Sequence, residues 1–291
     1  MNSRKTTRAA LVLAALLTPS LAQAVVLSHD SFSISGGYTA GELPGQNPPV
    51  TGYTGAWTDI DFGDAEPGIT AGSLNYSNGL YLGSSGDKVS VASSTVGGEN
   101  AAGNSGRVFR VLDSSLVATS GTAGTVYMSF LFQSGEEVNT PTIYQTLALY
   151  DTTTSDANRN FDIGLTTNGG QTGEAYNFGV DGAYTSTGVA ADTGVHLFVV
   201  KFDLSTAALG DSVTVWIDPT LGGTGDPTGG ITVTGKDLTW NRLAFSDYDA
   251  NSAAWDEIRW GTDFEAVTVP EPASALLGSF GVLALLRRRR K

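Results

Sequence analysis

The chain has 291 residues, enough for one large domain or two small ones, and carries 29 Asp and Glu against 16 Lys and Arg, a net charge of −13. That balance excludes a nucleic-acid-binding protein, because phosphate backbones need a basic face. With 37 Gly, 15% charged residues, two His and no Cys, the composition also excludes helical bundles, disulfides, thiolate metal sites and Cys nucleophiles, and supplies a zinc site poorly.

Arg4, Lys5 and Arg8 precede an apolar run, Ala9 to Leu17, which is followed by Ala22-Gln23-Ala24. Charge first, apolar run next and a small-x-small box last is the order that signal peptidase reads. Residues 1–24 are therefore expected to be a secretory signal helix cleaved after Ala24, with Ala22 and Ala24 as the cleavage determinants.

From residue 25 to 266 the spacing predicts one domain built from short strands separated by Gly, Asn, Asp and Ser clusters, with no heptads and no fixed repeat. Strands are expected at 107–112, 125–132, 144–150, 161–166, 175–180, 195–204, 212–217, 242–246 and 255–260. In 211–218, Val213, Val215 and Ile217 alternate with Ser212, Thr214 and Trp216, the pattern of a half-buried antiparallel strand. In 195–204 both faces are apolar, which predicts a central strand covered on two sides. The fold class expected is all-β, a two-sheet antiparallel sandwich of jelly-roll type. A β-solenoid ranks second for want of a rung-length repeat.

Asp30-Ser31-Phe32, Gly52 to Trp57, Ala71 to Tyr76, Gly194 to Phe202, Asp211 to Pro219 and Trp255 to Thr262 together resemble secreted jelly-roll domains of the concanavalin A-like lectin/glucanase, or laminin G-like, class. The resemblance implies two curved sheets, with glycans bound by one sheet or its rim loops in many members. Glucanases of that class use a Glu-x-Asp-x-Glu or Glu-x-Asp-x-x-Glu strand that points two carboxylates into one cleft, and this chain lacks it. The nearest acidic clusters are Asp59, Asp61 and Asp64, then Asp256, Glu257, Asp263 and Glu265. Glu257 and Arg259 fall on one strand face, as an ion pair would. No Gly-x-Ser-x-Gly elbow is present, and His196 sits inside an apolar strand as a core or sheet-face residue. The body is read as non-enzymatic, with no catalytic residues and no required cofactor.

One structural Ca²⁺ site is compatible with the loops. Asp156, Asn158 and Asn160 place oxygen donors at alternate positions, as do Asp247, Asp249 and Asn251 in a loop at 246–254, while Asp226 lies in a Gly-rich loop. Asp and Asn are also ordinary turn formers. For glycan contact, Tyr248 in the acidic loop and Trp240 after a turn are the aromatics expected to be exposed, and Trp216 and Trp260 are expected in the core.

The last segment, 267–291, contains Pro270-Glu271-Pro272, an apolar stretch from Ala273 to Leu286, and Arg287, Arg288, Arg289, Arg290 and Lys291. Fourteen apolar residues rise about 21 Å as a helix, short for a hydrocarbon core of about 30 Å, and the basic cluster stays cytoplasmic. These residues resemble the PEP-CTERM sorting signal of Gram-negative, exopolysaccharide-producing bacteria. The resemblance implies that Pro270, Glu271 and Pro272 are recognised by an exosortase, a membrane transpeptidase-like enzyme, through an inner-membrane intermediate held by the short transmembrane helix.

Without its two ends the chain keeps eight Lys and Arg, while all 29 acids lie between Asp30 and Glu271. So acidic a body is expected to repel anionic lipid and acidic polysaccharide unless Ca²⁺ bridges them, which makes neutral glycans the easier partners. The function expected is that of an exported, non-enzymatic protein of the cell surface or extracellular matrix. Its partners are signal peptidase and exosortase during export and exopolysaccharide afterwards. The alternative is a divergent glycoside hydrolase or polysaccharide lyase.

Overall fold

Runs of Val, Ile, Phe, Tyr and Thr, broken by turn residues, form sixteen strands among the described residues of the computed structural model, which are 24–60, 66–77, 86–91, 105–135, 143–152, 158–223, 225–248 and 252–268. In chain order they are β1 (Val26–Asp30), β2 (Gly41–Glu42), β3 (Tyr53–Asp59), β4 (Gly68–Thr70), β5 (Lys88–Val91), β6 (Ser105–Leu112), β7 (Gly124–Ser134) and β8 (Tyr144–Tyr150). There follow β9 (Arg159–Thr166), β10 (Ala175–Val180), β11 (Ala183–Ala190), β12 (Val195–Leu204), β13 (Asp211–Ile217), β14 (Ile231–Lys236), β15 (Arg242–Tyr248) and β16 (Ala253–Gly261). A short helix, α1 (Phe264–Thr268), ends the described chain.

Every pairing is antiparallel. A nine-stranded sheet runs β14-β13-β12-β7-β16-β5-β4-β2, with β1 also paired to β16, and a seven-stranded sheet runs β11-β10-β9-β8-β15-β6-β3. This is the two-sheet sandwich that the alternation predicted, and the antiparallel order sets the solenoid aside. The segments expected to form a signal helix and a membrane helix fall outside the described residues, apart from Ala24, and among the described ones no helix is long and apolar enough to cross a membrane.

The core lies between the sheets. Phe130, Phe132, Phe198, Val200, Phe202, Trp255 and Trp260 from one meet Leu147, Leu149, Phe161, Ile163, Phe178, Leu243 and Phe245 from the other. Trp57 stacks on Phe245 at 5.4 Å, and Phe130 on Phe198 at 5.1 Å. Each such side chain contributes about 1.5–3 kcal/mol by leaving water.

Strand β12 is covered on both sides, as its sequence indicated. Phe198, Val200 and Phe202 face the core, while Leu197 and Val199 join Leu131, Trp216, Leu221, Phe264 and Val267 on the outside of the nine-stranded sheet. Helix α1 seals this second layer, with Ser129 Oγ donating to the Val267 carbonyl at 2.6 Å. Trp216 and Trp260 are buried, as expected of strand tryptophans.

Candidate functional site

Tyr144, Thr146, Ala148 and Tyr150 alternate in β8 with Gln145, Leu147 and Leu149. Because Leu147 and Leu149 enter the core, the first set is turned away from it, and the strand register extends that set across the seven-stranded sheet. Arg107 lies opposite Ser246, Ser246 opposite Thr146, Thr146 opposite Gly164, and Gly164 opposite Asn177. The adjacent row is Phe109, Ala244, Ala148, Asp162 and Gly179. Both glycines are needed where they stand. A Cβ on Gly164, at φ +148°, would meet the Gln145 carbonyl at 2.1 Å, and one on Gly179 would meet Asp162 Oδ1 at 2.3 Å.

Over this floor lie three guanidinium groups on three aromatic rings. Arg107 is 5.7 Å from the Tyr150 centroid, Arg242 is 5.2 Å from Phe109, and Arg159 is 5.2 Å from Tyr144. Arg159 donates to the Tyr144 hydroxyl at 2.7 Å and the Tyr184 hydroxyl at 2.8 Å, with Nε 3.7 Å from Asp162 Oδ2. Both hydroxyls in turn donate to Asp162 Oδ2, at 3.0 and 2.9 Å. Burial first, and the Asp162 charge second, push the Tyr144 and Tyr184 hydroxyls above their ordinary range. Burial works against the Arg159 charge, but Tyr144, Asp162 and Tyr184 outweigh it and hold the guanidinium protonated.

Three buried polar atoms on this face have no partner: Thr146 Oγ1, Arg242 Nε and Asn177 Oδ1. Arg242 donates through Nη1 to the Asp151 carbonyl at 3.0 Å, and Asn177 donates to the Thr166 and Ala175 carbonyls at 3.2 and 2.7 Å. A buried polar atom left unpaired costs about 1–3 kcal/mol.

A second constellation sits at a β-bulge in β16, where Asp256 pairs with Leu131 and Arg259 with Ser129. The extra residue and the left-handed Glu257 (φ +53°) turn two successive acids to the outer side. Glu257 is fully buried, accepts from Arg259 Nη2 at 2.6 Å, and lies 2.6 Å from His29 Nε2. This is the expected pair of Glu257 and Arg259, and both of its side chains are buried. His29 borders an open cleft of about 470 Å³ beside β1, lined also by Ser28, Ser31, Tyr38 and Val50. Asp256 accepts from Ser73 Oγ, from Leu74 N at 2.9 Å and from Glu257 N at 2.7 Å. Burial, reinforced by Glu257 and opposed by Ser73 and Leu74, pushes its carboxyl up to about 7. With both acids at 0% exposure, no substrate reaches them. Asp263 caps Ala266 N at 2.8 Å, and Glu265 accepts from Gly225 N at 2.7 Å.

Two expectations need correction. Trp240 is not exposed: at 1% accessibility it packs 4.7 Å from Phe202 and donates to the Leu116 carbonyl at 2.8 Å, because its bridge to Ala118 draws the turn into the sandwich. The acidic loop begins later than expected, since β15 continues through Asp247 and Tyr248 by pairing with β6 and β8, and Asp247 is buried. Asp249, Asn251 and Asp156 lie outside the described residues. Asp226 accepts from Tyr127 Oη at 2.6 Å and Lys201 Nζ at 3.0 Å, so a lysine already neutralises it. Asn160 donates to the Asn158 carbonyl and Thr239 Oγ1, both at 3.4 Å. Among the described residues, no three His, Asp or Glu gather as metal ligands. Ala24 is exposed, whereas Ala22, Pro270, Glu271, Pro272 and Arg287 to Arg290 lie outside the described residues.

Residues 268–291 match the PEP-CTERM protein-sorting motif, so the motif begins at the buried last residue of α1. No curated protein matches the chain. Among solved structures, the globular domain of T. cruzi calreticulin aligns at TM-score 0.46 and 11% identity over 84% of this chain and 90% of that one. A carbohydrate esterase from the Shiga toxin-encoding bacteriophage phi24B aligns at TM-score 0.46 and 15% identity, over 83% and 100%. The binding domain of botulinum neurotoxin serotype C1 aligns at 0.44 and 12%, over 82% of this chain and 50% of that one.

Proposed function

We propose that this chain is a β-sandwich exported by the exosortase route to the cell envelope or matrix, where the outer face of its seven-stranded sheet holds a saccharide without reacting with it. The sorting motif at 268–291 supports the destination. The observation that carries binding is the outer face itself, where the guanidinium groups of Arg107, Arg242 and Arg159 lie over the rings of Tyr150, Phe109 and Tyr144. Hydroxyl-rich ligands fit such a face, because rings take the flat apolar side of a sugar and donors and acceptors take its rim.

The reading is non-enzymatic because, among the described residues, the two central rows offer one carboxylate, Asp162, already committed to Arg159, Tyr144 and Tyr184. A glycosidase needs two, about 5–9.5 Å apart. Retention of the full chain on the producer's exopolysaccharide and on neutral glucans, with EDTA or Ca²⁺, tests it. No retention in any arm rejects binding, and release of reducing or unsaturated sugar from a polysaccharide panel rejects the non-enzymatic part in favour of a hydrolase or lyase.

A further inference from the structure

The open cleft of about 470 Å³ beside β1 takes no part in the outer face of the seven-stranded sheet, and it is a slot. Six consecutive residues, Val26 to Ser31, line it, together with the run Pro49-Val50-Thr51. A strand rises about 3.4 Å per residue, so a cleft that borders six in succession runs about 17 Å along β1. On one side β1 pairs with β16, and no other strand among the described residues pairs with it. The N–H and C=O groups of its second edge are therefore left for the slot.

The walls are fixed. Gly52, at φ +91°, lets its segment press onto β1, where a Cβ would meet the Ser28 side chain at 2.7 Å. Ser28 Oγ ties the walls together by donating to the Thr51 carbonyl at 2.6 Å. Buried Tyr38 donates to Asp30 Oδ2 at 2.6 Å and accepts from Trp57 Nε1 at 3.2 Å. Glu257 holds His29 through Nε2, while His29 Nδ1 and the accessible hydroxyls of Ser31 and Thr51 make no hydrogen bond among the described residues.

The occupant follows from what the slot offers. Its one aromatic residue, Tyr38, is buried, so the stacking platform of a sugar site is missing. An unpaired strand edge is completed by another extended chain, whose main-chain groups extend the ladder. Val25 and Ile34, two of the three exposed large apolar side chains among the described residues, flank the lining residues at either end. Each stands by an acid. Val25 N donates to Thr262 Oγ1, which lies 3.2 Å from Asp263 Oδ2, and Ile34 N donates to Asp87 Oδ2 at 2.8 Å. Nearby cations do not offset them, since Arg259 is spent on Glu257 and Arg110 is buried against the Gly55 and Pro48 carbonyls.

We infer that β1 is a docking edge for an extended peptide segment of another protein, uncharged along its middle and basic at its ends, which adds a strand to the nine-stranded sheet.

The test is fluorescence anisotropy of labelled peptides with the full chain in detergent. The probes are four Thr-Val repeats with Lys at both ends, the same repeats with Glu at both ends, the Lys-ended peptide N-methylated at every Thr and Val, and laminarihexaose as competitor. The protein is compared with Thr51→Trp, which fills the slot from an exposed position, and Thr232→Trp on β14, the edge at the far end of the same sheet. The Lys-ended peptide is expected to bind at least tenfold tighter than the Glu-ended one, to lose at least tenfold on N-methylation and with Thr51→Trp, and to be unchanged by Thr232→Trp. Binding that survives N-methylation overturns the inference, because main-chain pairing then plays no part. Binding that survives Thr51→Trp also overturns it, because the strand then adds elsewhere. No binding of either unmethylated peptide overturns it and leaves the saccharide reading of the outer face standing, and displacement of the Lys-ended peptide by laminarihexaose assigns the slot to a glycan instead. Melting temperatures of both variants within a few degrees of the parent's show that loss of binding is not loss of fold.

Discussion

His196 Nδ1 lies 2.6 Å from Asp218 Oδ2, and its Nε2 lies 2.9 Å from Asp192 Oδ1, so one imidazole at the start of β12 is held by a carboxylate on each side. Burial favours the neutral ring, but the hydrogen bonds to Asp218 and Asp192 outweigh it and raise the imidazole above its ordinary range. Burial also opposes the Asp218 charge, yet His196 and Leu197 N hold that carboxyl below its usual value. The two shifts have opposite signs on the pH axis. The histidine's contribution is complete below about pH 6.5 and is lost as pH rises through its raised value, while that of Asp218 is complete above about pH 4 and is lost as pH falls. The clamp therefore stabilises most between about pH 4 and 6.5. His196→Gln is expected to remove on the order of 1 kcal/mol there and little at pH 9, a modest figure because Asp218 is 37% exposed. Thermal melts across pH 4–9 check this, and an equal loss at pH 5 and pH 9 counts against it.

Asp256 gives a second pH dependence. Its folded carboxyl titrates near 7 against an ordinary value of 3.8, so the fold prefers the protonated form and loses stability as pH climbs between those values. Replacing it with Asn forfeits one hydrogen bond from Ser73, Leu74 or Glu257, and the variant is expected to be weaker at pH 4. It is also expected to lack the parent's decline, which amounts to a few kcal/mol by pH 8. Denaturant titrations at pH 4, 6 and 8 give the two slopes, and parallel slopes reject the assignment.

The buried pair of Glu257 and Arg259 predicts a different result. Arg259→Met alone leaves a carboxylate at 0% exposure without its arginine, at an expected cost of about 3–5 kcal/mol. Arg259→Met with Glu257→Leu removes both charges and is expected to recover most of that loss. A double variant no more stable than the single one would show that the bulge itself, with Glu257 at φ +53°, requires the acid.

Trp240 separates core from site. Because it is 1% exposed against Phe202, Trp240→Ala is expected to cost about 3–5 kcal/mol and to leave saccharide affinity of the folded fraction unchanged. Affinity lost in proportion to stability, measured below the melting range, would return this tryptophan to the binding face.

How far the sequence reveals this arrangement depends on which physical force sets each element. Strands β8, β10 and β12 fall where their apolar runs place them, residue for residue, because both of their faces are buried. Strands β2, β4, β11 and β14 carry Gly, Thr and exposed positions, and their neighbours' backbones rather than their own side chains hold them. The candidate site is harder to see. Thr146, Gly164 and Asn177 meet only through register between strands, and no spacing along the chain encodes that. One local signal was present: in 144–150, Tyr, Thr, Ala and Tyr alternate with Gln, Leu and Leu, which marks a polar and aromatic outer face. Trp240 misled because residues after a turn are commonly exposed, and a single bridge to Ala118 reverses that here.

Helix α1 carries the last prediction. Phe264 lies 6.2 Å from Trp216, Ala266 and Val267 are buried, and Asp263 caps the turn, so five residues close the outer layer over Leu131, Leu197 and Val199. Covering these side chains contributes about 2–4 kcal/mol. A chain ending at Thr262 is therefore expected to melt about 5–15 °C below one ending at Thr268, at 2–4 °C for each kcal/mol in a domain of this size. The sorting box begins at Pro270, and two residues span at most about 7 Å, so whatever recognises the box works against a helix docked on the sandwich. Val267→Ser, which weakens that docking, is expected to speed cleavage between the body and its tail by a general protease under native conditions. Unchanged cleavage alongside a lowered melting temperature would show that the box is reached without α1 leaving the sheet.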